Sequence, residues 1–235
     1  MALKTERWVT TMNDLQNDLR AVLTGDIINS SILDQQERQR LFEVFPALSA
    51  ILRERYPQEI SYNMSNFRGD GWQLVINHPH KSLEISLFIR AYLRFAFTEK
   101  KIDSRIAIGV GMVDFIPAGN ISAGYGSAYT VSGHLLEVLK AYQRMGIAFS
   151  TEAPLPTTST AVILVELIDT IITSWGPSQC QAVFWALQGL TQTQIADRWL
   201  PEPITQPSVS NNINRAGWAS IKKTLVFFEE MFNNY

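Results

Sequence analysis

Two acidic residues, Asp26 and Asp70, each follow a glycine at the edge of an apolar run, RAVLTGDII over 20–28 and RGDGWQLVI over 68–76. Carboxylates held at neighbouring strand ends are the minimum equipment for gripping one or two hard divalent cations, which prefer oxygen ligands. The pair therefore reads as a candidate site for Mg2+ or Mn2+. The competing reading is structural, because Gly-Asp is ordinary turn chemistry. Other reactive groups give weaker signals. His78 and His80 flank Pro79 and read as loop residues. Cys180 has no CxxC partner and sits on an apolar helix, and Ser30 and Ser31 lack a His/Asp pair. The glycines at 109, 111, 119, 124 and 126 follow neither P-loop nor Rossmann spacing.

The elements that must position the two aspartates follow from hydrophobic periodicity. Residues 1–19 read as an appended arm, with Trp8, Met12, Leu15 and Leu19 at helical spacing. A strand is expected over 20–28. A long helix over about 34–56 carries the stripe Leu41, Val44, Phe45, Leu48, Ile51 and Leu52, with Asp34 and Glu37 placed as a capping box. Pro46 inside it should kink or divide it. The runs 60–67 and 72–76 around Gly69-Asp70-Gly71 predict a β-hairpin. A helix over about 80–97, a strand over 105–115, a helix over about 127–145 and a short strand near 147–150 complete the order β-α-β-β-α-β-α-β. Its first six elements match a ferredoxin-like or polymerase-palm domain. In such a domain the first strand lies antiparallel beside the third, so Asp26 and Asp70 meet at one end of the sheet.

The segment PLPTTST at 154–160 reads as a linker. Beyond it the pattern is wholly helical, which makes the fold class α+β, with domains over 20–153 and 161–235. Residues 177–219 have the look of a helix-turn-helix. Val209, Ile213 and Ala216 turn inward on a helix expected from about 207 onward, leaving Ser208, Ser210, Asn211, Asn214 and Arg215 outside. That outer face suits a major groove: asparagine pairs with adenine edges, arginine with guanine, serine with phosphate. Lys222 and Lys223 could neutralise phosphates. The alternative is a dimerisation or docking module, since 175–235 balances four basic against four acidic residues.

Composition narrows the classes. The 235 residues are 46% hydrophobic and 18% charged, enough for a packed core. A net charge of −2 and a pI near 5.9 exclude a global basic field, so nucleic-acid binding would need a local patch. A single cysteine excludes an intramolecular disulfide framework. The most apolar run, 161–172, is too short to span a bilayer and carries Glu166 and Asp169. The expectation is a soluble, cytoplasmic protein with no membrane partner.

With both halves laid out, the chain over about 20–230 resembles the SatD family. The likeness rests on Gly25-Asp26-Ile27-Ile28-Asn29-Ser30, on the hairpin Gly69-Asp70-Gly71-Trp72-Gln73, on Ile108-Gly109-Val110-Gly111, on the helix start Gly126-Ser127-Ala128-Tyr129 and on the C-terminal helices. The first 150 residues are also similar, more distantly, to class III nucleotide cyclases. That resemblance implies that Asp26 and Asp70 bind metal, and that Asn29, Ser30, Gly69, Thr130 and His134 surround a nucleotide. It also implies an Asn and an Arg on the helix after the fourth strand, where this chain has Thr130 and His134. Threonine offers no amide donor and histidine is a poor substitute for a forked, permanent cation, which argues against cyclisation and leaves metal or nucleotide binding open. Two expectations result. One is a DNA-binding homodimeric regulator with a degenerate cyclase-like sensor domain. The other is a divergent metal-dependent cyclase or nucleotidyl-transfer enzyme. A scaffold in which the aspartates only build turns is the third reading.

Overall fold

Strand β1 (Arg20–Ile28) occupies the middle of a five-stranded sheet of order β2-β3-β1-β4-β5. This is a computed structural model, described over residues 19–67, 69–98, 101–118, 120–151, 153 and 158–233. Residues 1–18 of the expected arm, and 154–157 of the expected linker, lie outside the described residues. In chain order the other elements are α1 (Gln35–Arg55), β2 (Ser65–Phe67), β3 (Gly71–Ile76), α2 (Ser82–Ala96), β4 (Asp103–Gly111), α3 (Ser127–Val138) and β5 (Met145–Phe149). Then follow α4 (Thr158–Thr173), α5 (Pro177–Leu187), α6 (Gln192–Asp197), α7 (Gln206–Arg215) and α8 (Trp218–Asn233). The chain is α+β, with a mixed sheet and eight α-helices among the described residues. None of those helices is long and apolar enough to cross a membrane.

Alternation along β1 sorts its side chains between two faces. Ala21, Leu23 and Ile27 join Trp72, Leu74, Ile106 and Ile108 in the main core, under Leu48 and Leu52 of α1 and Leu83 and Phe88 of α2. On the other face Val22 and Val75 meet Ile121 and Ala128, and the Thr24 hydroxyl lies 2.8 Å from that of Ser132 on α3. Here α3 rests directly on β4: a Cβ at Gly109 would stand 2.3 Å from the Ala128 carbonyl oxygen, so only glycine fits. β1 is antiparallel to both β3 and β4, while β4 and β5 run parallel.

Several expected elements are redrawn. α1 runs uninterrupted through Pro46, which is exposed, so the backbone bond it forfeits is lost on the solvent side. The capping box of Asp34 and Glu37 is formed as read. The run 60–67 contributes only three strand residues, because β2 pairs with β3 only over Ser65–Phe67. α3 ends at Val138, and the chain turns before Met145 because β5 must extend to pair with β4 from Ile106 onward. The helix expected from about 207 onward ends at Arg215, and Gly217, at φ 70°, separates α7 from α8.

The main core does not stop at the expected domain boundary. Val165, Ile168 and Ile172 of α4, Phe184 of α5 and Phe228 of α8 belong to it, and the Phe88 and Phe184 rings stack obliquely with centroids 4.8 Å apart. A buried polar cluster pins the same seam. Arg90 of α2 donates from Nε and Nη2 to the two oxygens of Asp103 (2.9 and 2.7 Å) and from Nη1 to Asp169 of α4 (2.7 Å).

Candidate functional site

The two Gly-Asp segments do converge. Asp26 opposes Gly71 in the β1–β3 register, and the Ile27 amide donates to the Asp70 carbonyl oxygen at 3.1 Å. Gly69 adopts φ 85°, which turns the β2–β3 hairpin tightly enough to bring Asp70 over the end of β1. Asn29 takes the left-handed conformation at φ 64°, and its amide donates to the Lys101 carbonyl at 3.2 Å. That turn presents Ser30, whose hydroxyl donates to Asp70 Oδ2 at 2.9 Å. Asp26, Asn29, Ser30, Gly69 and Asp70 therefore form one rim at the end of the sheet.

Both Asp26 oxygens are engaged. Arg105 lies opposite Asp26 in the β1–β4 register and grips it with a fork, Nε to Oδ1 at 2.9 Å and Nη2 to Oδ2. The bond to Asp26, with the charges of Asp26 and Asp70, holds the Arg105 guanidinium above its ordinary value despite partial burial. Next to it, Ser104 accepts the indole N–H of Trp72 at 2.9 Å and donates to the Asp26 carbonyl at 2.7 Å. Gly25 has no room for a side chain, since a Cβ would stand 2.4 Å from the Trp72 ring. A divalent ion at Asp26 would compete with a guanidinium already in place. Among the described residues no three His, Cys, Asp or Glu side chains cluster as a metal group. The rim as folded fits two catalytic metals poorly, and one ion at Asp70 and Ser30 better.

Beside Asp70 the rim opens into a cavity of about 310 Å3, lined by Ser30, Ser31, Arg38, Leu41, Phe42 and Gly69. Arg38 donates to the Leu33 and Ser31 carbonyls at 2.9 and 3.4 Å, which fixes its planar head at the edge. Phe42 is 49% exposed, a large aromatic ring left uncovered on α1. Hydroxyls, one carboxylate, one guanidinium and an open ring equip the cavity for a polar, planar ligand. Arg105, Ser104, Arg38 and Phe42 were not singled out from the sequence. Arg105 could have been suspected only as a charge opening an apolar strand.

Thr130 and His134 are not brought to this rim. Both are exposed on α3, whose inner side is Ala128 and Ser132. Thr130 donates to the Gly126 carbonyl at 3.3 Å, and neither residue bonds to Asp26 or Asp70 or lines the cavity. His78 and His80 stack with ring centroids 5.7 Å apart, and burial together with His78 and Lys81 pushes His80 down. Cys180 is buried in the core, where desolvation pushes its thiol up to about 11.

The second candidate surface is α7. Thr205 caps it, accepting from the Ser208 amide at 3.4 Å, and Val209 and Ile213 pack with Ala182 of α5 and Ile195 and Ala196 of α6. Ser208, Asn211, Asn214 and Arg215 are exposed, and Ser210 is half-buried. Lys222 stands apart from them, lining a cavity beside the inner residues Ile213 and Trp218. No protein-family model matches the chain, and no curated protein matches it either.

Proposed function

We propose that the chain is a DNA-binding regulator whose sheet half senses a nucleotide. The observation that carries this reading is the division of α7: its apolar residues are buried on α5 and α6, while Asn211, Asn214 and Arg215 are presented outward on a short, capped helix. This is the arrangement of a recognition helix, and we read α5–α7 as a helix-turn-helix with an extended turn. The order β2-β3-β1-β4, with β1 antiparallel to both neighbours, supports a ferredoxin-like or cyclase-like domain over 20–153. It also supports the SatD-type resemblance drawn from the motifs.

In this reading the rim cavity takes the nucleotide. Phe42 stacks on the base, Asp70 and Ser30 hydrogen-bond a hydroxylated sugar, and Arg38 faces phosphate oxygens. Asp70, beside Ser30, would hold one Mg2+ or Mn2+, and Asp26 would join it only in place of Arg105. A bound ion there would supply positive charge to phosphate oxygens. The protein acts in the cytoplasm as a homodimer, since helix-turn-helix pairs read two half-sites.

Retardation of randomised duplex DNA, with and without nucleoside triphosphate, tests the proposal. Arg215→Ala and Asn211→Ala should each weaken binding by about 1–3 kcal/mol and relax the sequence preference. Failure of the folded wild type to retard any duplex at low salt would overturn it.

A further inference from the structure

We propose a second ligand site, for a small amphipathic carboxylate, in the cavity between the C-terminal end of α1 and the inner side of α7. The cavity measures about 420 Å3, a volume suited to a compact organic ligand. Leu187, Ile195, Trp218 and Leu225 give it apolar walls. Such walls select a hydrocarbon or aromatic body, so the polar end of the ligand must be set by the charged residues.

Four charged side chains line the cavity: Arg55, Lys222, Glu84 and Glu229. The two carboxylates are already satisfied from outside the lining. Lys81 Nζ lies 3.0 Å from Glu84 and 2.5 Å from Glu229, and the Tyr56 hydroxyl donates to Glu84 at 2.8 Å.

The cations are not matched in this way. Among the described residues Arg55 donates from Nε alone, to the Leu187 carbonyl at 3.1 Å, and its guanidinium lies over the Tyr56 ring at 5.4 Å. Among the described residues neither Arg55 nor Lys222 has a carboxylate within ion-pair distance. A partly apolar groove whose unmatched charge is positive, on the exposed Arg55 and Lys222, favours a monoanion with a greasy body over the equivalent cation. Arg55 comes from the sheet half and Lys222 from α8, so a carboxylate between them would tie the two halves of the molecule together.

Isothermal titration of the full chain, without DNA, tests the site with 2-naphthoate as probe and its neutral isostere 2-naphthamide as control. The expected result is one saturable site per chain, with the acid at least about tenfold tighter than the amide. Arg55→Gln and Lys222→Gln should each cut that preference several-fold, and the double variant should abolish it while leaving amide affinity unchanged. Should Arg55→Gln melt early through loss of its bond to Leu187, the exposed Lys222→Gln carries the comparison alone. Equal binding of acid and amide, an unchanged preference in the variants, or no saturable binding of the acid would each overturn the site. The assay contains no duplex, so its failure leaves the proposed DNA reading standing, and the converse also holds.

Discussion

Strand β4 opens with two carboxylate–guanidinium groups almost side by side. Asp103 is gripped by Arg90, and Arg105 grips Asp26. In the first, Arg90 has no exposed surface and also reaches Asp169 and Thr173. In the second, the side chains of Arg105 and Asp26 keep 32% and 25% of their surface in solvent. Ser104, between them in sequence, bonds to both groups: its amide donates to Asp103 and its hydroxyl to the Asp26 carbonyl. Similar chemistry is thus put to opposite uses. The buried group fastens α2 and α4 to the sheet, and the Arg90 guanidinium at its centre is out of reach of water. The rim group can exchange partners, which a ligand site requires.

The largest effect should come from the buried group. Burial alone would push the Arg90 guanidinium down, but Asp103 and Asp169 more than reverse this and hold it above its ordinary value. Arg90→Met leaves the buried Asp169 without an ion-pair partner among the described residues and Asp103 with only Arg94, 3.8 Å away, and should destabilise the fold by about 3–5 kcal/mol in urea melts. Replacing both aspartates by leucine as well should recover most of that loss, because a paired cluster contributes little beyond a packed apolar one. If Arg90→Met alone lowered stability by less than about 1 kcal/mol, the seam would be solvated and the contrast with the rim would vanish.

The rim should respond in the opposite sense. Arg105→Gln removes one partially exposed pair and should lower stability by at most about 1 kcal/mol. That difference should shrink in about 1 M salt, where screening acts within about 3 Å, whereas the Arg90→Met deficit should persist. The substitution also frees both oxygens of Asp26. Mn2+ affinity, read by calorimetry, should therefore rise several-fold over wild type. Unchanged affinity would mean that Asp26 and Asp70 do not share an ion.

The sequence carried local signals and missed the non-local ones. The strand read over 20–28 coincides with β1, and the capping box at Asp34 formed, since both depend on neighbouring residues alone. The meeting of Asp26 and Asp70 followed from element order. The fork from Arg105 did not, because it depends on the register of two strands distant in sequence. Arg90 does leave a trace in the sequence: with Leu83, Leu87 and Arg94 it falls on the helical stripe that should be apolar. Pro46 does not divide α1, because a proline on the solvent face forfeits a bond that water replaces. Gly217 gives no local signal of the break between α7 and α8, because a glycine in an apolar helical pattern is tolerated and its positive φ shows only in the structure.

The smallest expected change separates charge from geometry at the rim. Asp70→Asn keeps an oxygen to accept the Ser30 hydroxyl, now 2.9 Å away, and removes only the charge that Arg105 feels. Stability should move by less than about 0.5 kcal/mol. Asp26→Asn should cost more, because it breaks a fork in which both oxygens are used. Any gain in Mn2+ affinity produced by Arg105→Gln should disappear when Asp70→Asn is added, since a hard cation then loses one of its two anionic ligands. If the double variant keeps the gain, the ion is held by Asp26 with backbone carbonyls, and Asp70 serves only to close the hairpin. If Asp70→Asn alone destabilises as much as Asp26→Asn, the Asp70 carboxylate is a structural partner of Arg105, and the rim differs from the buried group in exposure rather than in kind.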